Sequence, residues 1–123
     1  MINTASGFEE VERELLELIS IGAQERVARD QESPQRLKCI EGLRAIGVTS
    51  EAMEAMRVIH VTGTKGKGST CSMIESVLRY HGVKTGLFTS PHLVCMTERI
   101  QINGQPISKQ AFCDCFNRVK QAL

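Results

Sequence analysis

The spacing of apolar residues divides the chain into a helical first half and a second half in which helices alternate with short β-branched runs. In the first half, Ser6 and Glu9 fit a capping box at the start of a helix, and apolar residues then recur at helical spacing from Val11 to Ile19. They recur again after Ser33-Pro34, a pair that caps and begins a helix. Gly47 is placed to end this second helix, and Thr49 or Ser50 can cap a short further turn that runs through Met56. We therefore expect residues 1–57 to form an N-terminal helical region.

The second half begins with an alternation of strand and helix signals. Val58 to Val61 is a β-branched run typical of a buried strand, and Lys84 to Ser90 predicts a second strand. Between them, residues 69–82 have the periodicity of a helix, which Gly82 is placed to end in a left-handed conformation. A strand, a helix and a strand within about 30 residues form a βαβ unit, whose right-handed crossover makes the two strands parallel. The loop after Val61 and the residue Ser90 should then lie at the same edge of the sheet, where ligands bind in open α/β folds.

The last part of the chain predicts a hairpin and a helix. Asn103-Gly104 is a strong signal for a two-residue hairpin turn, and Ser108 can cap a helix that runs to Leu123. Two or three parallel strands leave an exposed sheet edge, which a complete α/β domain would cover. We therefore expect an α/β fold with a mainly parallel sheet, in which residues 58–123 form only part of a domain.

The segment between the first predicted strand and its helix has the composition of a phosphate-binding loop. Its sequence is G-T-K-G-K-G-S-T, from Gly63 to Thr70. Glycines permit close backbone approach to a phosphate, consecutive N–H groups can form an anion-binding nest, and a helix N-terminus carries partial positive charge. Lys67 can reach the terminal phosphates of ATP as a point charge. The alternative is a glycine-rich turn with solvated lysines, which the flanking strand and helix disfavour.

The loop departs from the common pattern G-x-x-x-x-G-K-[ST] at the residue that helps to hold magnesium. Gly68 stands where a serine or threonine is usual, and the hydroxyls of Ser69 and Thr70 come one residue late. Because ATP-bound Mg²⁺ prefers about six oxygen ligands, another hydroxyl should lie nearby. Ser90, at the end of the second predicted strand, is the candidate. Its alternative role is to open a turn before Pro91.

Three segments together resemble the Mur ligase superfamily of ATP-dependent ligases and, within it, the folylpolyglutamate synthases. They are HVTGTKGKGST at His60 to Thr70, SPHL at Ser90 to Leu93, and ERIQINGQPIS at Glu98 to Ser108. The resemblance is clear from about Val58 to Phe116. Lys65 replaces the asparagine that is more usual in bacterial members, so the chain resembles the eukaryotic form.

The resemblance implies the N-terminal part of a P-loop, Mur ligase-like ATPase domain, and it implies roles for individual residues. Ser90 corresponds to a metal-ligating serine, and His92 and Arg99 lie on a segment that approaches the folate. Lys67 is the expected catalytic residue. The residues expected to bind the ATP phosphates are Gly63, Thr64, Lys65, Gly66, Lys67, Gly68, Ser69 and Thr70.

The activity that the resemblance implies is the addition of L-glutamate to the γ-carboxyl of tetrahydrofolate or its polyglutamates, with ATP and Mg²⁺, by a monomeric complete protein. Two alternatives stay open. One is dihydrofolate synthase activity, alone or combined with polyglutamylation. The other is a truncated product that only binds nucleotide. Family members continue into a second, glutamate-binding domain that this chain lacks, so the chain by itself is expected to be inactive.

Composition excludes other classes of function. A net charge of +1 and an aromatic content of 4% provide neither the basic field nor the stacking platform of a nucleic-acid-binding protein. The five cysteines show no metal-ligand spacing, which favours reduced thiols. No apolar run approaches the length of a membrane span, and the acidic first helix is unlike a transit peptide. We therefore expect a cytoplasmic location, with the mitochondrion as the alternative.

Overall fold

A computed structural model describes residues 4–24 and 34–122 as five α-helices and one three-stranded sheet. The helices are α1 (Thr4–Gln24), α2 (Pro34–Ala45), α3 (Ser50–Ala55), α4 (Lys67–Tyr80) and α5 (Lys109–Ala122). The strands are β1 (Gly86–Phe88), β2 (Ile100–Ile102) and β3 (Gln105–Pro106), and a 3-10 turn, Met96–Arg99, precedes β2. The fold is α/β, as the sequence predicts.

The chain separates into two compact units. One unit comprises Met1–Val58 and Cys113–Leu123, and the other comprises Ile59–Phe112. The predicted domain boundary between residues 57 and 58 stays a prediction. The glutamate-binding domain expected in the complete protein, outside this chain, also stays a prediction.

In the first unit, the apolar face of α1 forms the core. Phe8 is 2% exposed and Val11 is 7% exposed. On the polar side, Lys120 of α5 donates to Glu14 of α1, with Nζ 2.7 Å from Oε1 and 2.9 Å from Oε2. The helix begins at Thr4, two residues before the predicted start at Ser6, and the predicted cap Ser33 lies outside the described residues.

The predicted end of α2 and the predicted turn into α3 are both present. Gly47 has a φ of +81°, and the N–H of Val48 donates to the Leu43 carbonyl at 2.9 Å, which closes the end of the helix. The Thr49 hydroxyl then accepts a hydrogen bond from the Ala52 N–H at 3.2 Å and begins α3. These local signals depend only on neighbouring residues.

In the second unit, the helix predicted over residues 69–82 is α4. It begins two residues earlier, at Lys67, and is followed by Gly82 with a φ of +79°. The N–H of Val83 donates to the Leu78 carbonyl at 3.1 Å across this glycine. The glycine therefore ends the helix in the left-handed conformation that the sequence predicts.

The sheet differs from the prediction in its direction. β1 pairs with β2 and β2 pairs with β3, both antiparallel, around a turn in which Asn103 and Gly104 have φ values of +50° and +74°. The predicted hairpin is confirmed, but the mainly parallel arrangement is wrong for this sheet.

The predicted first strand, Val58–Val61, is not a strand in the described structure, and the second predicted strand shortens to β1. Val58 is 74% exposed and Ile59 is 58% exposed. Parallel strands are stable where helices or neighbouring strands cover both faces, and no described residue provides that cover here. The run therefore lacks the burial that would make it a sheet strand.

A polar cluster connects α4 to the sheet. Glu75 of α4 accepts hydrogen bonds from the Thr85 hydroxyl at 2.6 Å and from Nε of Arg79 at 3.0 Å. The Thr85 N–H in turn donates to the Asn103 side-chain oxygen at 2.9 Å. The bond from Thr85, followed by the bond and charge of Arg79, lowers the pKa of the Glu75 carboxyl. The helix that follows the glycine loop is thereby held against the hairpin turn.

Candidate functional site

The loop from Gly63 to Gly66 leads directly into α4, and glycines stand at both of its special backbone positions. Gly63 has a φ of +151°, and Gly66, the N-cap residue immediately before the helix, has a φ of +76°. Gly66 offers no side chain to cap the helix. Any other L-residue would be strained at this φ, so the sequence places glycine where the backbone requires it.

The first N–H groups of α4 are therefore available to a ligand. The first hydrogen bond of the helical ladder runs from the Thr70 N–H to the Gly66 carbonyl at 3.0 Å. Among the described residues, no acceptor is recorded for the N–H groups of Lys67, Gly68 and Ser69. An uncapped helix start with successive free N–H groups suits an anion such as a phosphate.

The Lys67 side chain folds back over this loop. Its Nζ donates to the Gly63 carbonyl at 2.8 Å, across the turn that the glycines form. The ammonium group thus lies beside the same backbone whose N–H groups begin the helix. The structure brings together Lys67, the predicted catalytic residue, and the predicted phosphate loop.

The space around Gly68 would admit the serine or threonine that is usual at this position. A Cβ built on Gly68 would meet no described atom within 4 Å. The neighbouring predicted phosphate-binding residues Thr64, Lys65, Ser69 and Thr70 are all exposed. The segment from Gly63 to Thr70 is therefore accessible to a ligand from solvent, with Gly68 half-buried.

The structure also brings together the two predicted folate-side residues. Nε of Arg99 donates to Nδ1 of His92 at 2.8 Å. Because Nδ1 of His92 faces Arg99, the Nε2 edge of the ring is the one left to contact a ligand. The pair therefore presents the Nε2 edge of the imidazole and the remaining guanidinium donors, a combination suited to a carboxylate or carbonyl oxygen.

Glu98, which the sequence analysis did not select, organises the segment between these residues. Its carboxylate accepts hydrogen bonds from the N–H groups of Leu93 at 2.9 Å, Val94 at 3.1 Å and Cys95 at 2.8 Å. These backbone bonds, those of Leu93 and Cys95 first, lower the pKa of the Glu98 carboxyl. The missed signal is the spacing of Cys95 and Glu98, which form a capping box at the 3-10 turn although the first position is neither serine nor threonine.

A hydroxyl oxygen, and not a carboxylate cluster, is what the described part of the chain offers to a metal ion. Among residues 4–24 and 34–122, no group of three or more histidine, cysteine, aspartate or glutamate side chains is placed to hold one. Ser90 is exposed at the start of the His92 segment, and its peptide bond to Pro91 is cis. A hydroxyl fits Mg²⁺, which takes one or two protein ligands together with phosphate oxygens and waters. The assignment of Ser90 stays a prediction.

Comparison with known proteins agrees with the resemblance carried by the loop, SPHL and hairpin segments. No protein-family model matches the chain. The chain is 49% identical over 104 residues to the mitochondrial folylpolyglutamate synthase of Homo sapiens, a match that covers 83% of this chain and 18% of the relative. It belongs to the folylpolyglutamate synthase family. The human relative agrees with the eukaryotic-like form predicted from Lys65.

Solved folylpolyglutamate synthases share the fold. A Mycobacterium tuberculosis folylpolyglutamate synthase complexed with ADP superposes with a TM-score of 0.73 and 24% identity, over 98% of this chain and 24% of that one. A bifunctional folylpolyglutamate synthase/dihydrofolate synthase from Yersinia pestis has a TM-score of 0.53 and 27% identity, over 85% of this chain and 25% of that one.

The chain corresponds to a small part of the length of its relatives. The chain spans less than a fifth of the length of the first curated folylpolyglutamate synthases that it matches. No helix in residues 4–24 and 34–122 combines the length and the apolar character needed to cross a membrane.

Proposed function

We propose that the complete protein containing this chain is an ATP-dependent ligase that adds L-glutamate to the γ-carboxyl of tetrahydrofolate or its polyglutamates. The observation that carries the proposal is the uncapped start of α4 behind Gly66, with the Lys67 ammonium group folded over the same loop. This arrangement suits the phosphates of ATP, and the sequence around it matches folylpolyglutamate synthases.

The reaction needs ATP because a carboxylate does not accept an amine. Transfer of the γ-phosphoryl group to the folate carboxylate gives ADP and an acyl phosphate. The glutamate amine then attacks the acyl carbon, the amide bond forms, and phosphate and a proton leave. The loop N–H groups and Lys67 bind the phosphates and neutralise the charge that develops during the transfer. Mg²⁺, when bound, would neutralise further phosphate charge, and Ser90 is the residue of this chain that would hold it.

On the folate side, we propose that His92 and Arg99 orient the substrate. Their mutual hydrogen bond fixes the orientation of the imidazole ring and leaves its Nε2 edge and the outer guanidinium N–H groups to contact the substrate. A substrate carboxylate placed by two such donors would lose rotational freedom before the phosphoryl transfer, which is the usual gain from a positioning site.

Dihydrofolate synthase activity is the second candidate, because a structurally similar protein is bifunctional. The Yersinia pestis enzyme is named for both activities. The same phosphate loop would serve dihydropteroate, whose carboxyl would be activated and joined to glutamate in the same way. We propose a monomer in the cytoplasm, with the mitochondrion as the alternative that the name of the human relative suggests.

The test is turnover of the complete protein with ATP, Mg²⁺ and L-glutamate, with either tetrahydrofolate or dihydropteroate as the acceptor. We expect glutamate to be added to tetrahydrofolate and ADP to be released in equal amount, as measured by mass spectrometry and a coupled ADP assay. Addition only to dihydropteroate would replace the first proposal by the second. ADP release without a glutamylated product from either acceptor would refute both. The isolated 123-residue chain is expected to show no turnover.

A further inference from the structure

We propose that Glu98 is a positioning residue for the folate site, acting through the backbone of the segment that carries His92. This inference rests on the proposed function, since it assigns a role within the same site. The Glu98 carboxylate holds the backbone of this segment in the conformation in which His92 and Arg99 form their hydrogen bond, and it acts on the substrate only through that pair.

The first support is the number and direction of the hydrogen bonds that Glu98 accepts. Oε2 accepts from the Leu93 N–H at 2.9 Å, and Oε1 accepts from Val94 at 3.1 Å and from Cys95 at 2.8 Å. Three successive N–H groups thus converge on one carboxylate, as they would on a bound anion. The Leu93 and Val94 side chains are 93% and 89% exposed, so they provide no apolar burial to hold the segment. The hydrogen bonds to the Glu98 carboxylate therefore hold this segment where apolar packing does not.

The second support is the position of Glu98 between fixed points. Met96 and Thr97, immediately before it, are buried at 3% and 7% exposure, and Arg99, immediately after it, donates to His92. The dipeptide Glu98-Arg99 therefore holds the segment at both its start and its end. Loss of the Glu98 bonds would release residues 93–95 while Arg99 stays anchored at the head of β2. The His92–Arg99 pair would then lose its fixed geometry.

Two substitutions of Glu98 should weaken the hold on residues 93–95 to different extents. In Glu98→Gln, the amide oxygen can stay at the Oε1 position and accept from Val94 and Cys95, but the amide NH₂ then opposes the Leu93 N–H. In Glu98→Ala, all three acceptors are lost. Glu75→Gln is the matched control, because Oε1 of Glu75 accepts both of its recorded bonds and an amide oxygen can keep both.

The experiment measures KM for tetrahydrofolate, KM for ATP and kcat in the complete protein and its variants. For Glu98→Ala we expect the folate KM to rise about tenfold, within the roughly hundredfold that an ångström of misplacement can cost, with the ATP KM unchanged. Glu98→Gln should give a smaller rise, and Glu75→Gln none. Hydrogen exchange at the amides of residues 93–95 should accelerate in the same order.

The outcomes separate the inference from the proposed function. A wild-type protein without folate-dependent turnover would refute the proposed function. An active wild type with unchanged folate KM in Glu98→Ala, or with folate and ATP KM raised equally, would overturn the inference alone. Unchanged exchange at residues 93–95 in Glu98→Ala would also overturn it, because the carboxylate would then not hold the segment.

Discussion

Replacing Lys67 with alanine tests whether the loop before α4 acts on phosphate. Lys67 is exposed, and its recorded hydrogen bond goes to the Gly63 carbonyl, so its loss leaves no buried group unpaired. Alanine is also the best helix former, and the substitution falls at the first residue of α4. We therefore expect the variant to fold as the wild type does, and any loss of activity to arise at the site.

The magnitude follows from the position of the ammonium group. A unit charge about 4 Å from a phosphate charge contributes about 4 kcal/mol at an effective dielectric constant of about 20. Removal of a group that stabilises charge in a transition state costs about 3 kcal/mol or more. At about 1.36 kcal/mol for each factor of ten, kcat should fall by about a hundredfold or more.

The assay is ADP release by the complete protein under saturating substrates, with circular dichroism to verify the fold. Lys84→Ala removes an exposed lysine of the same compact unit outside the loop and should leave kcat unchanged. A Lys67→Ala variant that keeps kcat within threefold of the wild type would show that the Lys67 ammonium does not act on the transferred phosphate.

Three further predictions concern the loop, the metal ion and the hairpin. Ser90→Ala should raise the Mg²⁺ concentration needed for half-maximal turnover while leaving metal-free ATP binding unchanged; a superimposable magnesium titration would make Ser90 a turn residue. Gly66→Val should abolish measurable ATP binding in calorimetry, because its φ of +76° strains an L-residue and a side chain would enter the phosphate path. Gly68→Ala, with open space around the Cβ, should still fold. Gly104→Ala should lower the melting temperature, since the left-handed conformation costs about 1–2 kcal/mol and the Cβ would lie 2.7 Å from Nε of Arg79; an unchanged melting temperature would contradict this packing.

The features that sequence reasoning predicted well are those with local causes. The left-handed glycines at Gly47 and Gly82, the hairpin turn at Asn103-Gly104 and the cap of α5 by Ser108, whose Oγ accepts from the Ala111 N–H at 3.1 Å, each depend on a few neighbouring residues. The shape of the glycine loop before α4 is of this kind as well, because it follows from glycines at special φ values and from the helix that begins behind them; its binding of phosphate stays a prediction. A single sequence contains all of that information.

The features that it missed depend on which side chains the fold brings together, and not on a repeating local pattern. Glu75 and Thr85 are ten residues apart, and neither shows from its neighbours that it will meet the other. Glu98 is closer to its partners, but its role depends on a 3-10 turn that periodicity does not predict. The Arg99–His92 contact likewise requires the chain to double back between them.

The direction of the sheet shows how a correct local prediction can lead to a wrong arrangement. The β-branched run at Val58–Val61 does favour extended backbone, but propensity does not specify a partner strand, and strand pairing depends on what covers each face. The Asn103-Gly104 turn, by contrast, specifies both its partner strands and their antiparallel direction. The hairpin therefore forms from its own residues and pairs with β1. The run Val58–Val61 has no adjacent turn that would specify a partner strand. The predicted phosphate loop has its geometry nonetheless, because Gly66 and the first turn of α4 determine it, and the strand does not. This is why the site can be recognised in the described residues although the parallel sheet predicted around it is not seen there.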